Sequence, residues 1–465
     1  MSIISPQEAE FTVEVDVAVI GSGACGLCAG IAAHQAGAQT LILERDSTAL
    51  GTTAMSTGLI PAAGTSFQNQ VGIDDSPETF TADICKKSGY RSDKDLVLAL
   101  AKESAKTIDW LATEQQVPLS LVDSFLYPGH TQKRMHGTPN RTGGELMGSL
   151  CNAAERAGVD ILTDATVTSL VADPDGRVHG LRCTRPDGST EDLGCQALIL
   201  ACCGFAGNQA MVHQFIPEIE KGEFFGHPGN QGDAVIWGQA LGGTVADMSG
   251  YQGHAGLAKG YGIPILWPTI VEGGIQVNQS GKRFSNEARG YSEQAVDVLK
   301  QDGAIAWTFF DELRHTLMHE FDDYRDAIKA GAIQQGATLE EICQKTHLPL
   351  DTMRETLANI SDLADSGELD NFGRSFSGKA KLAPPYYAVK VTGALFHTQG
   401  GLCVDEHARV LDKDGQPLPN LYAGGGAARG ISGPDASGYL AGNGLMTATT
   451  YGRLAGLHAA QMIKN

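Results

Sequence analysis

The stretch that decides the fold is VDVAVIGSGACG, residues 15–26, followed after a run of small residues by TLILE, residues 40–44. The two apolar runs predict strands, and the small residues between them predict a helix. Gly21 permits a tight turn, Gly23 lets the backbone approach a pyrophosphate, and Gly26 lets the helix pack closely on the first strand. This order predicts a strand–turn–helix–strand unit at the start of a parallel sheet.

The helix after the glycine turn begins with free N–H groups and the positive end of its dipole, and both features favour a bound phosphate. Glu44 ends the second strand, where it is placed to accept a hydrogen bond from a ribose hydroxyl. A glycine turn framed by two strands and followed by an acid at this spacing is far more specific than the glycines alone. The stretch therefore predicts a dinucleotide site.

Composition limits the remaining possibilities. A chain of 465 residues is expected to form two or three units at a prior of ~150 residues per domain. The formal net charge of -20 repels phosphate backbones and anionic lipids, so nucleic acid and membrane surfaces are poor partners. No low-complexity linker or internal repeat interrupts the chain.

The N-terminus and the cysteines point to a cytoplasmic protein. Residues 1–14 are acidic and lack the basic and apolar regions of a signal peptide, and no apolar run approaches the ~18 residues of a spanning helix. The ten cysteines show no zinc or iron–sulfur spacing. Cys25 and Cys28 form a C-x-x-C, but small residues that pack the first helix on the sheet explain it better than a redox pair does. We therefore expect no metal and no membrane insertion.

The order of strands and helices predicts three sequence segments. Strand and glycine character dominates residues 1–248, polar helices and short strands follow over residues 249–391, and strand and glycine character returns over residues 392–465. A final helix is predicted from about residue 444 to residue 462. The economical interpretation is a nucleotide-binding domain in two segments with a second domain inserted between them.

Several further motifs follow the glycine turn in a definite order. They are Thr-Gly-Gly at 142–144, Gly-Asp at 232–233, VNQSGKRFSNE at 277–287, TQGG at 398–401, LYAGG at 421–425, GNG at 442–444 and TYGRLAG at 450–456. Together with the glycine turn they resemble the fumarate reductase/3-ketosteroid 1-dehydrogenase flavoprotein family over nearly the whole chain. The specificity of this resemblance lies in the joint order of the motifs.

The resemblance implies an α/β fold: a Rossmann-like, glutathione reductase-type FAD-binding domain in two segments, with an inserted α+β cap that carries catalysis. No histidine lies in the loop 52–58, where covalently flavinylated relatives carry one, so the FAD is expected to be non-covalent. The implied cofactor-binding residues are Gly21, Gly23, Ala24, Gly26, Glu44, Arg45, Thr52, Thr53, Ala54, Ser56, Thr57, Gly58, Val167, Gly204, Asp233, Gly425, Asn443, Gly444 and Leu445.

Two positions distinguish the branches of this family. Reductase-like members carry an arginine proton donor beyond the Asn-Glu of the cap motif and a second arginine that clamps a carboxylate. Steroid dehydrogenase-like members carry tyrosine at both positions, and here they are Tyr291 and Tyr439. The resemblance thus implies that Tyr291 removes the proton α to a ketone while the β hydride goes to flavin N5. Tyr439 and the Gly442 N–H would hold the carbonyl oxygen, with Tyr127 in support.

Two residues keep the reductase branch open. His397, just before the TQGG motif, matches a substrate-binding histidine of the reductases, so the sequence mixes features of both branches. Arg289 lies two residues before Tyr291 and is the alternative proton donor if the local alignment slips. The His-Pro-Thr of the reductases is replaced by Trp267-Pro268-Thr269.

The leading hypothesis is an FAD-dependent dehydrogenase that introduces a C=C bond α,β to the carbonyl of a cyclic ketone, either a 3-oxosteroid or a smaller oxocyclohexane-type compound. The alternative is a fumarate reductase-type enzyme that reduces an activated alkene or unsaturated acid. A third hypothesis, a flavin-binding module without turnover, conflicts with the intact cap motif. The expected partners are the ketone and a separate electron acceptor, and the oligomeric state is left open.

Overall fold

The computed structural model describes residues 2–464. Its strands are β1 (Ser2–Ile4), β2 (Phe11–Ile20), β3 (Thr40–Leu43), β4 (Ile60–Pro61), β5 (Ser120–Val122), β6 (Met135–Gly137), β7 (Asp160–Leu162), β8 (Thr166–Ala172), β9 (Val178–Thr184), β10 (Thr190–Leu200), β11 (Glu223–Phe224), β12 (Val245–Ala246), β13 (Tyr251–Ala258), β14 (Ile263–Pro264), β15 (Ile275–Val277), β16 (Ile305–Asp311), β17 (Ile333–Gly336), β18 (Tyr386–Thr398), β19 (Gly401–Leu402), β20 (Arg409–Leu411) and β21 (Pro417–Ala423).

The α-helices of the same range are α1 (Ala24–Gln35), α2 (Gly51–Ala54), α3 (Ser66–Gln70), α4 (Pro77–Lys87), α5 (Lys94–Thr113), α6 (Gly143–Ala157), α7 (Gln209–Phe215), α8 (Asp233–Ala240), α9 (Pro268–Val271), α10 (Tyr291–Leu299), α11 (Glu312–Met318), α12 (Asp322–Lys329), α13 (Leu339–Thr346), α14 (Leu350–Ser366) and α15 (Asn443–Lys464). Short 3-10 helices occupy Pro6–Glu8, Pro217–Ile219, Glu287–Arg289, Asp302–Ala304, Gly425–Ala427 and Ala436–Gly438.

The larger sheet has a parallel centre. Its nine strands run in the order β1-β8-β9-β10-β2-β3-β7, with β21 paired to β10 and β20 paired to β21. Strand β2 pairs in parallel with both β3 and β10. Helices cover this sheet, so its central strands are apolar on both faces, as parallel strands require. The predicted Rossmann-like fold is confirmed.

The predicted glycine turn joins β2 to α1. Gly21 has φ +100°, a conformation that L side chains rarely adopt, and α1 begins three residues later. A Cβ on Gly26 would lie 1.8 Å from the Gly21 carbonyl oxygen, so only glycine lets the helix approach the turn this closely. The sequence assigned these two glycines their structural roles correctly.

The first and last helices of the chain pack against each other through small residues. A Cβ on Gly452 would lie 2.2 Å from the Cys25 carbonyl oxygen, and one on Gly456 would lie 2.1 Å from that of Ala29. The backbones of α1 and α15 therefore touch, and Cys25 and Cys28 are buried packing residues of this contact. None of the ten cysteines forms a disulfide within the described residues.

The second sheet is largely antiparallel. Its seven strands run in the order β14-β13-β18-β16-β15, and β11 and β17 also pair with β18. An inserted antiparallel sheet is what the resemblance implies. The thirteen-residue strand β18 spans the predicted division between residues 391 and 392, and the domain boundaries stay a prediction.

Two local features differ from the expected pattern. The polar segment after residue 50 was expected as a loop, but it contains the four-residue helix α2 before the chain turns at Ser56. The irregular segment after Tyr127 contains the short strand β6, which pairs with both β4 and β5. Both elements are too short for periodicity to show them.

Residues 2–464 contain neither a candidate membrane span nor a candidate metal site. Across residues 2–464, no helix combines the length and the apolar character that a membrane crossing requires. The same residues contain no cluster of histidine, cysteine and acidic side chains arranged to hold a metal ion.

We expect Gly26→Ala to lower the free energy of unfolding by at least about 3 kcal/mol, because the added methyl group meets backbone that cannot move aside. Urea unfolding measures this change. The control is Gly148→Ala, in the middle of α6, where a Cβ meets nothing within 4 Å. That variant should gain up to about 1 kcal/mol from helix propensity. Equal effects of the two substitutions would contradict this account of the glycine turn.

Candidate active site

Two adjoining cavities lie at the carboxyl end of the parallel strands. The first, which we call the nucleotide cavity, is lined by the glycine turn, Glu44, Arg45 and Asp233. The second, which we call the tyrosine cavity, is lined by Tyr291 and Tyr439 among others. Their shared wall consists of Thr52, Thr53, Cys203, Gly425, Gly426 and Ala448. The cavities therefore form one continuous site.

Glu44 is held in place by the glycine turn itself. The backbone N–H and the hydroxyl of Ser22 both donate to its Oε2, at 3.0 and 2.5 Å, and the Asp46 N–H donates to its Oε1 at 3.1 Å. The carboxylate is buried and accepts all three of these hydrogen bonds. A fixed acceptor thus stands beside the turn, and its contact with a ribose hydroxyl stays a prediction.

The lining of the nucleotide cavity also includes an ion pair. Arg45 Nη2 lies 2.9 Å from Asp233 Oδ2. Burial raises the pKa of Asp233, and the Arg45 guanidinium opposes that rise. Val167 also lines this cavity. The pair joins the strand end after β3 to the start of α8, so it ties two distant segments across the same cavity.

The loop over residues 52–58 begins inside α2, and its hydroxyls are already partly used by the protein. Thr53 Oγ1 accepts a hydrogen bond from the Ala24 N–H at 3.2 Å. Thr52 Oγ1 accepts from the Asn230 side chain at 2.8 Å and from the His227 N–H at 3.2 Å. Ser56 and Thr57 face the tyrosine cavity. This loop therefore closes the junction of the two cavities.

Most of the predicted cofactor residues line one of the two cavities. Those in the nucleotide cavity are Gly21, Gly23, Ala24, Glu44, Arg45, Thr52, Thr53, Val167, Asp233 and Gly425. Those in the tyrosine cavity include Ser56, Thr57, Gly444 and Leu445. Those that lie behind the walls are Gly26, Ala54, Gly58, Gly204 and Asn443. A Cβ on Gly204 would lie 2.0 Å from Thr398 Oγ1. Glycine at this position therefore lets the segment after β10 pass close to the end of β18.

The lining of the site fits an FAD molecule. The glycine turn and the start of α1 offer backbone N–H groups to a pyrophosphate. The start of α15 faces the tyrosine cavity, and the neighbouring Asn443 side chain has a buried Oδ1 without a hydrogen-bond partner among the described residues. Two joined cavities with anion-binding helix ends are what an elongated dinucleotide requires.

All five predicted catalytic residues line the tyrosine cavity. They are Tyr127, Tyr291, His397, Tyr439 and Gly442. The ring centroids of Tyr291 and Tyr439 lie 6.2 Å apart, and those of His397 and Tyr439 lie 5.5 Å apart. They come from the loop before β6, the first residue of α10, the end of β18 and the segment before α15. The fold thus gathers groups that are more than 300 residues apart.

The Tyr439 hydroxyl is oriented by backbone. The Gly444 N–H donates to its oxygen at 3.4 Å, and the Gly442 N–H lies close enough to affect its pKa. Burial raises the pKa of Tyr439, and these two N–H groups lower it. With its oxygen acting as acceptor, the Tyr439 O–H is left to donate into the cavity. The predicted contact of the Gly442 N–H with the substrate oxygen stays a prediction.

Tyr291 lies in the most apolar part of the cavity. Its ring is packed against His254, with centroids 4.9 Å apart, and against Trp267, with centroids 6.0 Å apart. Burial raises the pKa of Tyr291 well above its ordinary value, and nearby Tyr439 and Tyr127 raise it further. The side chain is therefore protonated in the free cavity at neutral pH.

His254 is a cavity residue that sequence reasoning missed. Its Nδ1 accepts the Gly256 N–H at 3.0 Å, so the neutral ring carries its hydrogen on Nε2. Burial lowers the pKa of His254 to about 3. Gln252 and His254 both line the cavity because residues two apart in β13 share a face. That alternation of polar residues in an apolar strand was the available signal.

Arg289, the alternative proton donor, lies outside the tyrosine cavity. Its side chain is 55 % exposed, and its Nη2 lies 3.4 Å from Asp297 Oδ2. Within residues 2–464, no lysine or arginine lines the tyrosine cavity, and Asp323 is its one charged side chain. Burial raises the pKa of Asp323 to about 6. The electrostatics of this cavity disfavour an anionic ligand.

Comparison with known proteins is consistent with this geometry. The model of a family described as FAD binding domain matches residues 16–445. A probable fumarate reductase Ifc3 from Shewanella frigidimarina (strain NCIMB 400) is 28% identical over 447 residues, which cover 96% of this chain and 74% of that protein.

Two solved structures are similar along almost the whole chain. The open conformation of a flavocytochrome c3 fumarate reductase superposes with a TM-score of 0.81 at 27% identity, covering 99% of this chain and 81% of that one. A 3-ketosteroid-delta4-(5alpha)-dehydrogenase from Rhodococcus jostii RHA1 superposes with a TM-score of 0.77 at 25% identity, covering 99% and 100%. The chain is thus similar to proteins of both branches.

The buried histidines predict a loss of stability in acid. His254 has a pKa near 3 when folded and about 6.5 when unfolded, so below pH 6.5 the unfolded chain binds a proton that the folded chain does not. Its contribution to stability is complete above that pH and decreases as the pH falls. As the pH falls from 7 to 5, protonation of this histidine in the unfolded chain should lower the free energy of unfolding by about 2 kcal/mol.

Urea unfolding of the His254→Phe variant at both pH values tests this effect, because the variant should lose correspondingly less stability between them. His213→Gln is the control, since the His213 side chain is 72% exposed. The same pH-dependent loss in the unmodified protein and in His254→Phe would refute the assignment.

Proposed function

The chain belongs to the FAD binding domain family and is an FAD-dependent oxidoreductase of CH–CH groups; from this premise we propose that it desaturates a cyclic ketone α,β to the carbonyl. The observation that carries the proposal is the facing pair of Tyr291 and Tyr439 in a cavity lined by neutral hydrogen-bond donors. Such donors suit a carbonyl oxygen, whereas a dicarboxylate calls for bidentate cations.

In the proposed reaction, the Tyr439 O–H donates to the ketone oxygen as negative charge develops there. The Gly444 N–H polarises that hydroxyl by donating to its oxygen at 3.4 Å. Tyr291, as phenolate, takes the proton from the α carbon, and the electron pair of that C–H bond forms the new C=C bond. FAD, when bound, supplies the two-electron acceptor for the hydrogen that leaves the β carbon with its bonding electrons.

The cofactor contacts assigned to the nucleotide cavity belong to the same proposal. Glu44 would accept from a ribose hydroxyl, and the turn from Gly21 to Ala24 would bind the pyrophosphate. Tyr127 and His397 would hold substrate beside the tyrosine pair. The separate electron acceptor and the cytoplasmic location, inferred from the cysteines, are likewise proposed.

The charge of the tyrosine cavity limits the range of substrates that we propose. Asp323 lies in the first turn of α12 and makes no hydrogen bond or ion pair among the described residues. Its carboxylate would repel a substrate carboxylate across a cavity of low effective dielectric constant. We therefore infer a neutral ketone, or one with a hydrogen-bond donor at the end that reaches Asp323.

The second candidate function is the reduction of an activated alkene. It is favoured by burial of Tyr291, which keeps this side chain protonated and ready to donate, and by the His254 Nε2–H, which is available to a carbonyl oxygen. The two directions respond oppositely to pH. Desaturation needs the Tyr291 phenolate and should accelerate as the pH rises, whereas reduction needs the protonated form and should slow.

We expect Tyr291→Phe and Tyr439→Phe each to lower kcat by about 100-fold or more, because each removes a proton-transfer or oxyanion-stabilising group. Dye-coupled turnover with cyclic ketones measures desaturation, and anaerobic reoxidation of the reduced enzyme by cyclic enones or fumarate measures reduction. Arg289→Gln serves as the comparison and should keep full activity. Full turnover in both tyrosine variants together with an inactive Arg289→Gln would overturn the assignment.

Asp323→Asn should raise kcat/KM for a carboxylate-bearing cyclic ketone by about tenfold relative to the same ketone without the carboxylate, because it removes one repulsive charge. Lowering the pH to 5 should reduce the discrimination of the unmodified enzyme, since Asp323 becomes protonated below about 6. The matched control is Asp322→Asn on the same helix, where the carboxylate is paired with Arg325. An unchanged preference in Asp323→Asn would exclude this role.

A further inference from the structure

We propose that His130, which lies outside both cavities, positions the oxyanion end of the site by holding the peptide unit between Ala441 and Gly442. His130 Nε2 lies 3.0 Å from the Ala441 carbonyl oxygen, and the histidine is buried. Because it would act through other groups, His130 is a positioning residue. The inference rests on the proposed function insofar as Tyr439 is the group that holds the substrate oxygen.

The partners of His130 determine its protonation state. Arg134 Nη1 lies 3.2 Å from His130 Nδ1, and a guanidinium only donates hydrogen bonds. Nδ1 must therefore be the acceptor, and the ring hydrogen is on Nε2. The Ala441 carbonyl oxygen, which only accepts, faces that nitrogen. Burial and Arg134 lower the pKa of His130 to about 3, in agreement with a neutral ring.

Arg134 is itself immobilised by two carboxylates. Its Nε and Nη2 each lie 2.9 Å from an oxygen of Asp75, and its Nη1 lies 2.6 Å from Asp83 Oδ2. The Arg134 and Asp75 side chains are fully buried and Asp83 is nearly so. A bidentate, desolvated pair of this kind fixes the direction of the guanidinium. Its orientation is thereby passed to the His130 ring.

A planar peptide transmits this orientation to the active site. The carbonyl of Ala441 and the N–H of Gly442 belong to one trans peptide and point in opposite directions. Fixing the carbonyl toward His130 therefore fixes the direction of the Gly442 N–H, two residues before the Gly444 N–H that donates to the Tyr439 hydroxyl at 3.4 Å. Gly442 has φ +83°, and a Cβ there would meet Pro61 at 2.5 Å, so the peptide is also held from its other side.

The experiment uses the FAD-loaded enzyme with 4-nitrophenol as the probe, because its phenolate mimics an enolate oxygen and its ionisation is visible by absorption. We compare the unmodified enzyme with His130→Phe, which keeps the ring but loses both nitrogens. His130→Phe should weaken phenolate binding by about tenfold and raise the pKa of the bound phenol by about one unit. Binding of the neutral phenol should change less than threefold.

Turnover of a ketone substrate should also be affected in the charged transition state more than in the bound ground state. In His130→Phe we expect kcat to fall by about tenfold while KM stays within threefold, because transition-state charge and not ground-state binding is affected. His130→Gln, which retains an N–H donor, should recover part of the phenolate affinity. His136→Phe is the matched control, since His136 is equally buried on β6 but bonds to Thr65 and Ile60 away from both cavities.

The outcomes separate the two proposals. Unchanged phenolate affinity in His130→Phe, or an equal loss in His136→Phe, overturns the positioning role. The enzyme could also bind phenolate in a His130-dependent way and yet turn over no ketone. That result would support the positioning role of His130 and reject the proposed function.

If the His130→Phe variant does not retain FAD, a second measurement on the unmodified enzyme tests the proposal. Histidine ¹⁵N NMR of the unmodified enzyme should show a neutral Nε2–H tautomer that persists from pH 5 to 8, assigned through its absence in His130→Gln. An imidazolium at pH 5 or an Nδ1–H tautomer would refute the inference.

Discussion

The backbone contact between α1 and α15 is the constraint on which the rest of the structure depends. Gly452 and Gly456 face the carbonyl oxygens of Cys25 and Ala29, and no side chain larger than hydrogen fits between them. Close packing of this kind gains dispersion energy along both helices. It also places the middle of α15 beside the start of α1, so Ala448 lies in the wall that the nucleotide cavity and the tyrosine cavity share.

The chemistry of the tyrosine cavity follows from two facts. Its side chains are buried, and no lysine or arginine of the described residues lines it. In the tyrosine cavity, low effective dielectric strengthens each hydrogen bond and disfavours unpaired charge. Tyr291 and Tyr439 are protonated and His254 is neutral for this reason. Neutral donors that are already oriented need little reorganisation when a carbonyl oxygen gains charge. Asp323 is the exception, and its unpaired carboxylate gives the cavity a preference against anions.

Much of the fold and of the site could be predicted because it rests on local patterns. Gly21 and Gly26 were assigned from spacing alone, and their φ angle and close contact confirm the assignment. The tyrosine pair was predicted from motif positions, and the structure brings both rings to one cavity. His254 was missed because its role depends on which face of β13 turns inward. Gly442 was assigned a direct contact, but the direction of its N–H depends on neighbours far away in sequence.

The sequence by itself determined the glycine turn, the parallel sheet and the dinucleotide site that they support, because these depend on backbone conformation and on periodicity within short segments. The resemblance carried by the ordered motifs implied that the dinucleotide is FAD. Only the tertiary structure decided that Arg289 is excluded from the tyrosine cavity and that Tyr291 lies against His254. It also decided which titratable groups are neutral. Desolvation and the orientation of a peptide depend on groups that converge from the whole chain, and no single segment encodes them.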